Sequence, residues 1–349
     1  MNITVLAGGL STERDVSLIS GLMCAKSLAK KGHNVFLLDV FMGTETNPDD
    51  AFAGDNNFDS FAASINSSEP DLEKIKKIRG TSPDGFFGKN VLEICKRSDV
   101  VFMGLHGANG EDGKIQAAFD LLGIKYTGSD YAASANAMSK SITRQILIPN
   151  GINMAQGTTY TKETFTDSQA DKWDLFPCVV KPSCGGSSIG VLIVDNKNDF
   201  ISACNECFTY DDEIIIEEFV KGREFSVGVL DGKALPVIEI IPDGLYDYSN
   251  KYSGKTKEVC PAQVDADKAA QMQDTAQRVF RALNLSVYAR VDCLMRESDG
   301  KIFCLEANTL PGMTPTSLLP QEAAQTGINH EELCELIINK SIERFSTSK

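Results

Sequence analysis

Continuous apolar runs and amphipathic stretches alternate along this chain. Ile3 to Ala7 is apolar and ends in Gly8-Gly9, the pattern of a buried strand turning sharply; the small and acidic residues of LSTERDVS then suit a helix N-terminus. Leu18, Leu22, Ala25 and Ala29 recur at helical spacing. Lys30, Lys31 and Gly32 close that helix, and Asn34 to Val40 gives the next strand, so the chain opens on a βαβ unit. The stretch from Phe41 to Gly85 is rich in Asn, Asp, Ser and Gly, with one helical piece near Leu72 to Ile78, and reads as an excursion from the sheet edge. Order returns with the apolar strand Asp99 to Leu105. It runs into HGANGEDG and a helix from Lys114, and such strand ends are where α/β sheets hold ligands.

A second α/β segment follows, with Ala132 to Ile148 helical and Phe176 to Lys181 a strand. KPSCGGSSIG then leads into the strand VLIVD. A Walker loop opens a helix and keeps its lysine after the glycines, whereas here Lys181 precedes a loop between two strands. Such a loop can fold its amides over phosphate oxygens, although a plain flexible hairpin has the same pattern. EIIIEEF reads as a strand, and Gly222 to Phe225 starts the next, along whose edge a nucleotide base could lie. The Tyr-rich loop Tyr246 to Tyr252 has the character of a lid. Asp265 to Leu283 and Glu331 to Phe345 read as long amphipathic helices.

The chemistry concentrates between Tyr288 and Ser317. Val291, Cys293, Phe303, Leu305 and Ala307 alternate with Arg290, Asp292, Glu306 and Asn308, which predicts a hairpin with one apolar face and one charged face. A three-residue loop Ser298-Asp299-Gly300, with Gly300 left-handed, would pair Glu297 with Lys301 and set Asp292 opposite Glu306. A two-residue loop would turn the acid to the wrong face. Hard oxygen ligands beside an arginine suggest magnesium with phosphates; a solvated strand face with scattered charges is the plainer reading.

Composition narrows the picture. The net charge of -14 on 349 residues argues against nucleic acid or an anionic membrane as partner, so a nucleotide needs a local cationic pocket. Ten dispersed cysteines, several in apolar runs, fit a reducing cytoplasm, and the lone pair Cys204 and Cys207 reads as structural. The first strand begins without a basic leader, and no apolar run reaches membrane-spanning length. Gly8-Gly9 followed by bulky residues lacks the dinucleotide fingerprint, which excludes a nicotinamide site there.

In order along the chain, GGLSTERDVS, HGANGEDGKIQ, YTGSDYAASANAMSK, KPSCGGSSIG, EEFVKGREF, YDYSNKY with CPA, RVDC and LEANTLPGMTPTSLLP make it resemble the D-alanine:D-alanine ligases of the ATP-grasp superfamily. The resemblance covers nearly the whole length. It implies an α/β (α+β) ATP-grasp fold: an N-terminal parallel-sheet domain over residues 1–130, a central ATP-grasp subdomain over 131–220 and a C-terminal catalytic subdomain over 221–349. It implies that D-alanine, ATP and two Mg2+, with Mn2+ able to substitute, meet in a cytoplasmic homodimer serving peptidoglycan precursor synthesis. By likeness, Lys140 and Lys181 hold phosphates under Ser187 and Ser188, Glu217, Glu218, Phe219 and Val220 line the adenine slot, Glu224 holds the ribose and Lys251 stands by the transferred phosphate. Asp292, Glu306 and Asn308 match the metal ligands, and Glu13 the acid that fixes the first ammonium, with His106 near that substrate. Ser187, Tyr252 and Glu13 match a trio that ties down the lid; Arg290 and the Gly312 amide match the oxyanion donors, and Ser317 with Leu318 the contact to the second carboxylate. Ser139 stands where the family usually has Asp. Relatives that make D-alanyl-D-serine or D-alanyl-D-lactate differ only at the second subsite, and a non-catalytic ATP-binding regulator would be expected to lack metal ligands that this chain keeps.

Overall fold

The structure, a computed structural model, describes residues 1–54, 58–61, 70–186, 189–241 and 256–347. Strands β1 (Asn2–Ala7), β2 (Asn34–Asp39) and β3 (Val100–Met103) form a parallel sheet in the order β2-β1-β3. Its strands are apolar almost throughout because both faces are covered. The helix Arg14–Lys30 covers one face; of the expected stripe Ala25 is fully buried, but Leu18 and Leu22 are only partly buried, and Ser17, Ser20, Gly21, Cys24 and Leu28 fill the interface. The expected leucine stripe is therefore rotated. The reason is a second partner: the C-terminal helix His330–Thr347 packs against the same helix, and Leu333, Cys334, Ile337 and Ile338 join the N-terminal core.

Two antiparallel sheets follow. β4 (Gly157–Thr161), β5 (Cys178–Pro182), β6 (Leu192–Val194) and β7 (Glu213–Glu218) pair in the order β4-β7-β5-β6, backed by the helix Lys197–Cys207, in which Cys204 and Cys207 are buried core residues. β8 (Gly222–Leu230), β9 (Lys233–Ala234), β10 (Ile238–Ile241), β11 (Lys257–Val259), β12 (Tyr288–Arg296) and β13 (Ile302–Asn308) form the other, in the order β11-β10-β8-β12-β13 with β9 on β8. The amphipathic helix Ala266–Ala282 buries Met272, Ala276 and Val279 against it. The predicted single helix from Ala132 to Ile148 is two, Tyr131–Met138 and Lys140–Leu147. Ser139 divides them: its hydroxyl accepts from the Ile142 amide, so the serine supplies the cap itself.

Gly21 sets how closely the first helix approaches the sheet, since a Cβ there would lie 2.5 Å from the Ala7 Cβ. Alanine would gain about 1 kcal/mol of helix propensity, but overpacking against a rigid strand costs about 1–3 kcal/mol. We expect Gly21→Ala to be destabilising on balance, by roughly 0.5–2 kcal/mol in urea unfolding; a stabilised variant would show that the interface has slack.

Candidate active site

The hairpin of β12 and β13 sets Asp292 opposite Glu306 and Arg290 opposite Asn308. The expected cross-strand pair is there, but the expected turn is not. Arg296, not Glu297, pairs with Lys301: the Arg296 amide donates to the Lys301 carbonyl at 2.9 Å, and the left-handed Gly300 closes a four-residue loop. The ladder shifts between Asp292 and Cys293, where Leu305 is an extra residue, and this bulge restores the register that the longer turn displaces. It also switches the faces. Ile302 and Cys304 join Val291, Cys293 and Ala307 in the core beneath the sheet, so the assignment of Phe303 and Leu305 to that face is corrected.

Asp292 is held on every side. Arg290 donates to it twice, at 2.9 and 2.7 Å, Ser226 Oγ donates at 2.8 Å and Asn308 Nδ2 at 3.0 Å. Ser226 is placed by sheet order, since it pairs with Asp292 across β8 and β12. Lys140, at the start of its helix, pairs with Glu306 at 3.2 Å and donates to the Gly185 carbonyl at 2.8 Å, which ties the glycine loop to the hairpin.

A cleft opens above this face, lined by Glu13, Gly107, Glu111, Lys140, Glu306 and Asn308, with Gly185 and Gly186 as its rim. The Glu13 carboxylate sits between two glycines: a Cβ on Gly107 or on Gly186 would lie 2.8 or 2.9 Å from its Oε2. Glu111 is the residue that sequence reasoning passed over. One of its oxygens accepts from the Gly107 amide at 2.9 Å and the other from the Leu310 amide at 3.0 Å. Burial, then the neighbouring charge of Glu13, push its carboxyl up to about 7. Its signal was present in HGANGEDG, whose acids were read only as part of a glycine turn. His106 lies behind the cleft, its Nδ1 donating to the Leu310 carbonyl at 2.8 Å and its Nε2 at 2.9 Å from Ser20 Oγ.

Lys181 belongs to a second cluster. It pairs with the buried Glu217, which also meets Arg144 at 3.3 Å. Arg144 follows Lys140 by one helical turn, a spacing that could have flagged it. Glu218, Phe219 and Val220 continue at the end of β7, where the Phe219 amide donates to the Pro177 carbonyl at 3.0 Å and the Phe219 side chain is exposed. Glu224 lies on β8 opposite Leu294. Gly312 approaches Ser317 closely, and Ser317 Oγ also accepts from the Thr314 amide at 3.1 Å; Leu318 is buried against Ile238 and Ile240. Ser187, Ser188, Lys251 and Tyr252 lie outside the described residues, as does the Tyr-rich loop. The site thus brings Glu13, Lys140, Arg290, Asp292, Glu306 and Asn308 together, while Lys181 with Glu217 and the Gly312–Leu318 stretch flank them.

Comparison with known proteins agrees over the whole chain. The family models described as D-ala D-ala ligase N-terminus and C-terminus match residues 2–129 and 146–339. A D-alanine--D-alanine ligase of Pediococcus pentosaceus is 43% identical, with 97% of each chain covered, and one of Halalkalibacterium halodurans is 34% identical over 99% of this chain and 100% of its own. The crystal structure of the D-alanine--D-alanine ligase from Bacillus anthracis complexed with ATP superposes with a TM-score of 0.75 at 29% identity, covering 100% of this chain and 99% of that one. The VanG D-Ala:D-Ser ligase from Enterococcus faecalis superposes with a TM-score of 0.76 at 26% identity, covering 97% and 99%.

The raised Glu111 group makes stability depend on pH. Because the folded state holds this proton more tightly than the unfolded chain, its contribution is full below about pH 4.5 and is lost as pH rises through about 7. Glu111→Gln must aim an amide at one of two backbone donors and should lose roughly 1–3 kcal/mol throughout, but its stability should fall less steeply than that of the wild type over this range. Urea midpoints at several pH values check this; parallel slopes would rule out a proton on Glu111.

Proposed function

From the premise that this chain belongs to the D-alanine–D-alanine ligase family, we propose that the cleft above the β12–β13 face is where its two substrates and ATP react. The chain is an ATP-dependent ligase of the ATP-grasp fold that joins two D-alanines. A carboxylate oxygen of the first D-alanine takes the terminal phosphoryl group and ADP leaves. The amine of the second then attacks the acyl carbon, the amide forms, and phosphate departs with the attacking nitrogen's proton passing to solvent. The first step is opposed in water by repulsion between anions and the second builds up an oxyanion as the amine attacks, so the site must supply positive charge where the oxygens meet.

The observation that carries the assignment is the hairpin face. Asp292, Glu306 and Asn308 present hard oxygens side by side, a donor set that fits two magnesium ions, or manganese in their place, which when bound shield phosphate charge. Arg290, gripped in two-point contact by Asp292, is oriented to donate to an oxyanion, and we assign the Gly312 amide as the second donor. Lys140, with Lys181 beside Arg144, supplies ammonium groups for the phosphates. Glu217, Glu218, Phe219 and Val220 are assigned to the adenine, and Glu224 to the ribose.

Glu13, backed by Gly107 and Gly186, is assigned to the first substrate's ammonium, and His106 orients the Leu310 carbonyl beside it. The second carboxylate falls to Ser317 and the Leu318 backbone. Ser187 and Tyr252 are assigned to closing the site with Glu13; Ser188 and Lys251 contact phosphate. No helix among the described residues is long and apolar enough to cross a membrane, and we place the enzyme in the cytoplasm as a homodimer.

Asp292→Asn and Glu306→Gln remove ion ligands without opening a core cavity, so both should fold and lose ligation. Near-normal turnover of either at ordinary magnesium would show the metal face to be misassigned. Competition of D-alanine with D-serine and D-lactate, read by product mass, should yield D-alanyl-D-alanine as the main product near neutral pH; a predominant mixed dipeptide would move this chain to the D-Ala:D-Ser type, and a predominant ester to a D-lactate-using one.

A further inference from the structure

On the buried face of the helix that begins beside Glu13, one turn beyond Ser20, three metal-binding donors converge. Cys24 Sγ, His330 Nδ1 and Cys334 Sγ all lie within 4.8 Å of one another, the one such group among the described residues. His330 and Cys334 are one turn apart on the C-terminal helix, and Cys24 meets them from the N-terminal helix. Neither thiol takes part in the ligase chemistry, and the other cysteines form no such group.

The geometry is that of a coordination sphere slightly expanded. With zinc–sulfur and zinc–nitrogen bonds of about 2.3 and 2.0–2.1 Å, a tetrahedral ion sets sulfur–sulfur and sulfur–nitrogen edges of roughly 3.8 and 3.6 Å. The Cys334 Sγ to His330 Nδ1 edge is already 3.9 Å. The imidazole is also oriented as a ligand would be: its Nε2–H donates to the Met313 carbonyl at 2.7 Å, which turns Nδ1 toward the thiols, and a second partner of this kind is what fixes the tautomer of metal-bound histidines. In the metal-free chain the Ser27 hydroxyl donates to this Nδ1 at 2.8 Å, a hydrogen bond that the ion replaces.

We propose that Cys24, His330 and Cys334 form a binding site for a thiophilic divalent ion of the zinc class, clamping the first helix to the last. On binding, the Cys24 and Cys334 thiols give their protons to solvent, and the two sulfurs and the imidazole nitrogen donate lone pairs to the ion; no oxidant or reductant is involved. The clamp bears on the catalytic loop through Met313, whose carbonyl is held by His330 and whose amide donates to Ser20 Oγ at 3.4 Å, the hydroxyl that also meets His106. The proposal is independent of the ligase assignment.

Cobalt(II) is the probe. Added to the reduced full-length chain under saturating magnesium, which occupies hard oxygen ligands, it should give thiolate-to-cobalt charge-transfer absorption at one ion per chain, displaced by zinc. Cys24→Ser and Cys334→Ser should each lose at least half of that intensity and His330→Gln should weaken binding, while Cys184→Ser, at an exposed thiol, should keep the full band. Zinc should raise the thermal midpoint of the wild type and not of Cys24→Ser. No charge-transfer band in the wild type, or an undiminished band in both cysteine variants, overturns the site. Should the variants fail to fold, X-ray absorption of the wild-type zinc complex decides: two sulfurs and a nitrogen support it, and a shell of oxygens and nitrogens alone overturns it.

Discussion

Everything chemical in this molecule depends on one extra residue in a strand. Side chains alternate with a period of two, so the turn between β12 and β13 alone would carry Glu306 and Asn308 to the core side of the sheet, where two polar groups would meet Val291 and Cys293. Leu305 absorbs the difference. With the bulge in place, core packing and the presentation of ligands are satisfied by the same strand, Ile302 and Cys304 inward near the turn and Glu306 outward near the cleft. Bulges also sharpen local twist, which suits a strand end that must meet loops from elsewhere in the chain.

Those loops come from the opposite end of the sequence. Glu111 grips the amides of Gly107 and Leu310, and His106 donates to the Leu310 carbonyl, so one residue following β13 is fixed on both sides by two residues about two hundred positions earlier. The C-terminal helix completes the connection by packing into the core of the parallel sheet. The cleft is thus formed between elements whose relative placement is set by buried polar contacts, and these fix geometry better than apolar packing does because each must be met at a particular distance and angle.

Much of this was legible in the sequence, and the reasons differ by residue. Buried strands such as β1 and β3 announced themselves because both faces are covered and the apolar run is unbroken. The charged face of the β12–β13 hairpin was legible through alternation, yet it was reached through a turn one residue too short, since no local signal marks a bulge whose extra residue is an ordinary leucine. The buried face of the first helix was misread in part for a related reason: a helix packed on two sides needs small residues, so Ser17, Ser20, Gly21 and the expected Ala25 carry the contact while Leu18 and Leu22 flank it. Ser226 could not be found from sequence, because its value to Asp292 depends on β8 lying beside β12.

An acidic chain can host a triphosphate only if its cations are held in place beforehand. Here the cations in and beside the cleft are already engaged with oxygens: Lys140 with Glu306, Lys181 and Arg144 with Glu217, Arg290 with Asp292. Their side chains are largely shielded from solvent, so their water has been given up in folding and is not lost again when a phosphate oxygen arrives. A ligand oxyanion then exchanges with, or adds to, a carboxylate at a cation whose rotamer is fixed, and the entropy of ordering long side chains is not charged against binding.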